Sequence, residues 1–163
     1  MAHRYLIALG SNQRHSKIGT PRRVITAAFR ALDGKGLKLI AASPVMDSAP
    51  VGPSLRRYAN AVALVESRLE PDDLLERLHE IEEHFGRRRR GQAWRSRVLD
   101  LDIALWSGGA FSEPGLTVPH VHLRSRAFVL RPALGVSPDW RDPITGLSLR
   151  HVHTRLTRPR PLP

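Results

Sequence analysis

The stretch Leu99-Asp100-Leu101-Asp102-Ile103-Ala104-Leu105 alternates apolar and acidic side chains, a pattern typical of a β-strand with two different faces. Successive side chains of a strand point to opposite sides of the sheet. We therefore expect the three leucines and Ile103 to face a hydrophobic core, with Asp100 and Asp102 side by side on the other face. Two adjacent carboxylates repel each other and need a cation or arginines between them. Taken alone, an Asp-x-Asp pair is more often the solvated face of an amphipathic strand.

A dense cluster of arginines precedes this strand. It lies in the segment Arg87-Arg88-Arg89-Arg90-Gly91-Gln92-Ala93-Trp94-Arg95-Ser96-Arg97. Such a charge run is usually a solvated surface. Here, however, acids and arginines converge on one end of one strand. Mg²⁺ takes one or two carboxylates together with phosphate oxygens and waters, and arginines beside such a site are typical of phosphoryl transfer.

The remaining pattern predicts a mostly antiparallel sheet and three helices. Apolar runs predict four further strands, at Tyr5–Leu9, Leu37–Ala41, Val45–Asp47 and Asn60–Ser67. The sequence Gly10-Ser11-Asn12 predicts a turn directly after the first of them. Helices are predicted to begin at Pro21 and Pro71, and a third at Ser125–Leu134. This order predicts an α+β split-βαβ arrangement, with helices on one face of the sheet and the other face open to a ligand.

Composition limits the class of protein. The chain has 163 residues, which favours a single domain spanning 1–163, with 154–163 as a flexible tail. The sequence contains no cysteine, and this excludes disulfides, thiolate metal sites and a cysteine nucleophile. It has neither an apolar run of about 18 residues nor a signal-peptide pattern, so we expect a cytoplasmic protein without a membrane partner. It also lacks the glycine-rich patterns of P-loop and dinucleotide sites.

The net charge is the outlying feature. Lys and Arg number 26 against 15 Asp and Glu, giving a formal charge of +11. Only three of these basic residues are lysines, at Lys17, Lys35 and Lys38. An arginine excess indicates polyanionic partners such as nucleic acid or phosphorylated substrates, unless it reflects coding bias alone.

Several motifs, in this order, resemble those of the 6-hydroxymethyl-7,8-dihydropterin pyrophosphokinase family. They are Ala8-Leu9-Gly10-Ser11-Asn12, Pro50-x-Gly52, Tyr58-x-Asn60, Ile81-Glu82, Gly86-Arg87, Trp94-x-x-Arg97-x-Leu99-Asp100-Leu101-Asp102-Ile103, Leu116-Thr117-Val118-Pro119-His120 and Arg126-x-Phe128-Val129-Leu130. The block from Arg97 to Ile103 followed by Val-Pro-His is the specific part. The resemblance implies a ferredoxin-like α+β domain that transfers pyrophosphate from ATP to the hydroxymethyl group of the pterin, releasing AMP, in folate biosynthesis.

The resemblance also implies roles for individual residues. Asp100 and Asp102 would hold two Mg²⁺ ions on the ATP phosphates, and Arg87 and Arg97 would complete the catalytic set. The residues implied in ATP binding are Arg87, Arg89, Ile103, His120 and Arg126. Those implied in pterin binding are Ala49, Val51, Tyr58, Asn60, Trp94 and Phe128. The implied partners are ATP and the pterin. Our own reading of the sequence adds the expectation of a monomer that has no nucleic-acid partner.

Two alternatives remain open at this stage. The first is a basic α+β module that binds RNA on its open sheet by stacking bases on aromatic side chains. Asp100 and Asp102 argue against it, because they would repel a phosphate backbone. The second is a paralogue that binds the pterin or the nucleotide without turnover. This second alternative is suggested by departures from the family pattern at His79, Arg95, Ser96, Gly115 and Val121. If the chain is an active enzyme instead, we expect these departures to alter its affinity for the nucleotide and to leave catalysis intact.

Overall fold

A computed structural model describes residues 1–48, 57–86 and 98–161. Seven strands are present in these ranges: β1 His3–Ser11, β2 Leu37–Ala42, β3 Met46–Ser48, β4 Tyr58–Ser67, β5 Asp100–Trp106, β6 Phe111–Glu113 and β7 Leu116–Val118. The helices are α1 Pro21–Ala31, α2 Pro71–His84, α3 Ala127–Leu134 and α4 Leu149–Thr157, with a 3-10 turn, η1, at Leu123–Ser125. None of the helices described is long and apolar enough to cross a membrane.

The main sheet has the order β2-β4-β1-β5, with every neighbouring pair antiparallel, and β3 pairs with the first part of β4. The α+β fold predicted from the sequence is therefore confirmed. The predicted turn at Gly10 is wrong, because β1 continues to Ser11. Gly10 pairs with Asn60 on one side and with Asp100 on the other, so that the sheet extends past the glycine.

Local signals account for the first two of the predicted helices, α1 and α2. Thr20 caps α1 by accepting a hydrogen bond from the Arg23 N–H at 3.4 Å, and Pro21 occupies the first helical position. Pro71 opens α2, and two aspartates in its first turn face the positive end of the helix dipole. Beyond the end of α2, Gly86 adopts a φ of +99°, which glycine tolerates best.

Both helices pack on one face of the sheet and form the larger core. Odd-numbered residues of β1 and β4 point into it, together with Leu101 and Ile103 of β5. Its members in the main sheet are Tyr5, Ile7, Leu9, Leu37, Ala59, Ala61, Ala63, Val65, Leu101 and Ile103, and β7 adds Leu116 and Val118. The alternation of these strands therefore leaves their even-numbered side chains on the opposite face.

The opposite face is only partly open, since α3 and α4 cover one half of it. Leu6, Val62 and Leu105 pack there against buried residues of α3 and α4. The expectation that Leu105 shares a face with Ile103 is wrong. A bulge in the pairing of β5 with β1 places Leu105 opposite Leu6 and Ile103 opposite Ile7, so that Ala104 is the extra residue and the alternation changes phase. Residues 154–157 belong to α4 rather than to a flexible tail.

Candidate active site

A pocket of about 120 Å³ lies on the sheet face opposite α1 and α2, in the half that α3 and α4 leave uncovered. The sheet register builds its floor, because Gly10 pairs with Asn60 of β4 and with Asp100 of β5. Side chains from β3 and α3 form the walls. The lining that matters for chemistry consists of Gly10, Ser48, Tyr58, Asn60, Asp100, Asp102, Arg126 and Phe128. We call this cavity the first pocket.

Two carboxylates stand at one side of the first pocket. Asp100 and Asp102 occupy alternate positions of β5 and therefore point to the same face, as predicted from the sequence. The backbone N–H of Leu101, between them, donates to Oε2 of Glu82 at 2.9 Å, and Glu82 is only 1% exposed. A buried carboxylate on α2 thus fixes the segment of strand that carries the two aspartates.

This acidic pair suits a hard divalent cation. Mg²⁺ accepts one or two carboxylates and completes its shell with phosphate oxygens and water. Within residues 1–48, 57–86 and 98–161, no group of three or more His, Cys, Asp or Glu side chains is arranged to hold a metal. The two carboxylates fit a cation that is shared with a phosphorylated substrate.

His120 lies beside the acidic pair. Its Nε2 is 4.0 Å from Oδ2 of Asp102, while its Nδ1 accepts a hydrogen bond from the His122 N–H at 3.1 Å. Burial lowers the pKa of His120 below its usual range, and the nearby Arg126 acts in the same direction against the opposing pull of Asp102. A neutral ring whose Nδ1 is an acceptor carries its proton on Nε2. His120 thus presents an N–H donor toward the same edge as the carboxylates.

Arg126 and Phe128 close the first pocket from the side of α3. The guanidinium carbon of Arg126 lies 5.6 Å from the centre of the Phe128 ring, a cation–π arrangement. Tyr58, on β4, lines the same cavity. The pocket therefore combines two aromatic side chains with the positive charge of Arg126. This combination suits a flat heterocycle that carries an anionic group or binds next to one.

Asn60 is nearly buried, at 4% exposure, and its side chain is oriented by a neighbouring strand. Its Nδ2 donates to Oγ of Ser48 on β3 at 2.6 Å. One amide hydrogen is used in this bond. The second amide hydrogen and Oδ1 form an adjacent donor and acceptor. Such a pair matches the carbonyl and N–H of a lactam edge.

A second pocket, of about 270 Å³, adjoins the first at Asp102, which lines both, and His120 lines the second pocket beside it. Its remaining lining is mostly apolar and consists of Leu75, Ile103, Gly115, Leu116, Thr117 and Val121. Two departures from the family pattern, Gly115 and Val121, fall on this wall. These two departures thus affect the second pocket, while His79 lines neither pocket and Arg95 and Ser96 lie outside the described ranges.

The structure brings together most of the residues predicted from the sequence. Those in the first pocket are Tyr58, Asn60, Asp100, Asp102, Arg126 and Phe128. Ile103 and His120 line the second pocket. The other predicted residues, Ala49, Val51, Arg87, Arg89, Trp94 and Arg97, lie outside the described ranges.

Sequence reasoning missed three residues that shape the site: Gly10, Ser48 and Glu82. A glutamate on the apolar stripe of α2, next to Ile81, was the available signal for a buried carboxylate. Gly10 and Ser48 carry a weaker signal. Their role follows from strand register, which brings Gly10 between Asn60 and Asp100 and places Ser48 opposite Tyr58.

Comparison with known proteins agrees with this geometry. The chain is 41% identical over 145 residues to the 2-amino-4-hydroxy-6-hydroxymethyldihydropteridine pyrophosphokinase of Pseudomonas aeruginosa, covering 88% of this chain and 86% of that protein. It is 37% identical over 135 residues to the enzyme of the same name from Haemophilus influenzae, covering 82% and 81%.

A crystal structure of HPPK-DHPS from Plasmodium falciparum shares the fold, with a TM-score of 0.75 at 14% identity. It matches 95% of this chain, which spans 45% of the Plasmodium chain. The family model for 7,8-dihydro-6-hydroxymethylpterin-pyrophosphokinase (HPPK) matches residues 6–138. The chain therefore belongs to the 7,8-dihydro-6-hydroxymethylpterin-pyrophosphokinase family.

Proposed function

We propose that the chain transfers the terminal diphosphate of ATP to the hydroxymethyl group of 6-hydroxymethyl-7,8-dihydropterin, releasing AMP, as a step of folate biosynthesis. The observation that carries the proposal is the meeting of two pockets at one acidic edge. Asp102 lines both cavities, with His120 and Arg126 beside it. Family membership places this transferase ahead of the RNA-binding alternative.

The first pocket is the proposed pterin site. Its donor–acceptor pair on Asn60 matches the lactam edge of a pterin, and Tyr58 and Phe128 provide aromatic surface for the ring. In this placement the opposite side of the ring, with the hydroxymethyl group, faces the aspartates. The reacting hydroxyl is thereby held close to the edge that both pockets share, which lowers the entropic cost of reaction.

The second pocket is the proposed site for the nucleoside of ATP. Leu75, Ile103 and Leu116 offer apolar surface to a base, while Thr117 offers a hydroxyl. A nucleotide placed there would direct its phosphates toward Asp102 and His120, where the pockets join. Because Gly115 and Val121 line this wall, we attribute any altered ATP affinity to them rather than to the acidic pair.

Where the two pockets meet, we propose that acidic and basic side chains of the chain bind the metal and the phosphates. Asp100 and Asp102 are the proposed ligands of Mg²⁺, two ions in our proposal. Mg²⁺ bound there would neutralise phosphate charge and lower the pKa of the attacking hydroxyl. The Nε2–H of His120 donates to a phosphate oxygen, and the guanidinium of Arg126 balances its charge.

The remaining roles are proposals for residues outside the described ranges. Arg87 and Arg97 are proposed to stabilise the transferring charge, with Arg89 as a further ATP contact. Ala49, Val51 and Trp94 are proposed to complete the pterin site. For assembly and location we propose a cytoplasmic monomer, because both pockets are built within one chain and ATP is available in the cytoplasm.

The direct test is an assay of the full chain with ATP, Mg²⁺ and the reduced hydroxymethylpterin. We expect AMP to form only when the pterin is present, together with the diphosphorylated pterin as the second product. Binding of both substrates without AMP formation would instead identify a non-catalytic paralogue. Failure to bind the pterin at all would reject the assignment of the first pocket.

Ser48→Ala is expected to weaken pterin binding through Asn60. Removing the hydroxyl frees the Asn60 amide to rotate, and the loss of one hydrogen bond of about 1 kcal/mol raises the KM for the pterin about fivefold. Ser48→Thr keeps the hydroxyl and is the matched control, with a KM close to that of the wild type. The KM for ATP should not change in either variant. An equal loss in the alanine and threonine variants would show that volume, not the hydroxyl, matters at this position.

A further inference from the structure

We infer that Gly10 is a substrate-binding position, at which the absence of a side chain leaves room for the pterin to reach the β1 backbone. This inference rests on the proposed function and deepens it. Gly10 lies in the interior of the sheet, paired on both sides, and it lines the first pocket. Glycine weakens a strand interior because it has high conformational freedom and no side chain to pack. Its presence there needs a reason.

Backbone conformation does not supply that reason. Seven glycines in the described ranges have φ values in the left-handed region, and Gly10 is not among them. Its pairing with Asn60 and with Asp100 is regular on both sides of β1. An L-residue can therefore adopt the backbone of this position without strain.

Steric crowding within the fold does not explain the glycine at position 10 either. A Cβ built on Gly10 would lie 3.6 Å from Oδ1 of Asn60, 3.6 Å from Cδ1 of Tyr58 and 3.9 Å from Cβ of Asp100. These are ordinary van der Waals distances. The contrast is Gly108, where an added Cβ would overlap the Trp106 ring, so that the fold itself disfavours a side chain at that position.

What remains is the space inside the pocket. The three atoms nearest to the missing Cβ belong to the side chains proposed to bind the lactam edge, the ring and the metal. A methyl group there would stand among all three and would cover Oδ1 of Asn60, which is the proposed acceptor for the lactam N–H. Gly10 thus sets the depth of the first pocket, and the molecule that needs this depth is the pterin.

The experiment compares Gly10→Ala with the matched variant Gly135→Ala, in full-length protein. Gly135 caps α3 with a φ of −78°, and its added Cβ would meet only Pro132 O within 4 Å, at 3.5 Å. Pterin affinity is measured by calorimetry with Mg²⁺ and a non-hydrolysable ATP analogue, nucleotide affinity by titration of ATP alone, and stability by thermal unfolding. Overfilling a packed site predicts that Gly10→Ala weakens pterin binding about ten- to hundredfold. Its ATP affinity and Tm should stay near those of the wild type, as should all three values for Gly135→Ala.

Each other outcome overturns the inference in a different way. Unchanged pterin affinity in Gly10→Ala, with a wild type that binds the pterin, would show that the space is not used by substrate. A large fall in Tm for Gly10→Ala alone would show that the fold, not the ligand, requires glycine. If the wild type itself fails to bind the pterin while binding ATP, the proposed function fails first, and the inference falls with it.

Discussion

Replacing either aspartate of β5 with asparagine is expected to lower pterin-dependent AMP formation by about a thousandfold or more, with the fold intact. Asparagine keeps the shape of the side chain but removes the charge that attracts a divalent cation. A bound metal contributes several kcal/mol to the stabilisation of transition-state charge, and about 4 kcal/mol corresponds to a thousandfold in rate. The effect belongs to kcat, because the charge being stabilised develops during transfer.

The stability of these variants should remain close to that of the wild type. Asp100 and Asp102 lie on one face of one strand, and asparagine keeps the size of either side chain and one oxygen that accepts hydrogen bonds. The side chain of Asp102 is 44% exposed, so replacing it leaves no fully buried polar group behind. A Tm within a few degrees of that of the wild type is the expected result in thermal unfolding.

Asp47→Asn is the matched control for the aspartate variants. Asp47 lies on β3 next to Ser48, but alternation turns it away from the first pocket, and it pairs with Arg22 of α1 at 3.3 Å. This variant should keep at least half of the wild-type rate. The assignment of the acidic pair would be wrong if Asp100→Asn or Asp102→Asn retained more than about a tenth of the wild-type kcat at saturating Mg²⁺.

The part of the fold that could be predicted from the sequence is the part with strong local signals. Alternation in β5, the proline starts of α1 and α2 and the apolar runs of β1 and β4 identify these elements to within a few residues. The side-by-side placement of Asp100 and Asp102 follows from the same alternation. Alternation predicts nothing about Tyr58, Asn60 and Phe128, whose place in the first pocket is implied by the resemblance to the family instead.

The part that could not be predicted depends on contacts between distant elements. The bulge at Ala104 changes the face of Leu105, and only the pairing of β5 with β1 reveals it. The helix α4 follows a segment with weak periodicity and becomes stable by packing on α3 and η1, in the same buried cluster as Leu6 and Val62 of the sheet. The link from Ser48 to Asn60 likewise requires knowledge of how β3 lies against β4.

The second large effect is expected at Asp142, a residue that is fully buried in the loop before α4. Its carboxylate accepts two hydrogen bonds from Arg124 of η1, at 2.6 and 2.8 Å, one from the Ile144 N–H at 2.9 Å and one from the Thr145 hydroxyl at 3.1 Å. It thereby ties the loop to the segment between His120 and Arg126. Asp142→Ala removes all four bonds at once.

Breaking a buried, hydrogen-bonded ion pair by deleting one partner costs about 3–5 kcal/mol. The side chain of Arg124 is 36% exposed and keeps some hydration, so we expect a loss near the lower end, about 3 kcal/mol. For a chain of this length that corresponds to a fall in Tm of roughly 6–12 °C.

Asp139→Ala is the matched control. Its pair with Arg150, at 3.5 Å, is exposed on both sides, and its loss should cost less than about 0.5 kcal/mol.

The pH dependence gives the Asp142 prediction a second readout. Burial by itself would raise the pKa of Asp142, but hydrogen bonds from Arg124, Ile144 and Thr145 outweigh it and hold the pKa below its usual range. A carboxyl whose pKa is depressed by folding stabilises the native state above its unfolded pKa of about 3.9, and this contribution is lost as the pH falls through the folded value. The difference in unfolding free energy between wild type and Asp142→Ala should therefore be constant from neutral pH down to about pH 5 and shrink below about pH 4. A difference that stayed constant at still lower pH would mean that the carboxylate charge contributes nothing and that Asp142 acts through packing alone.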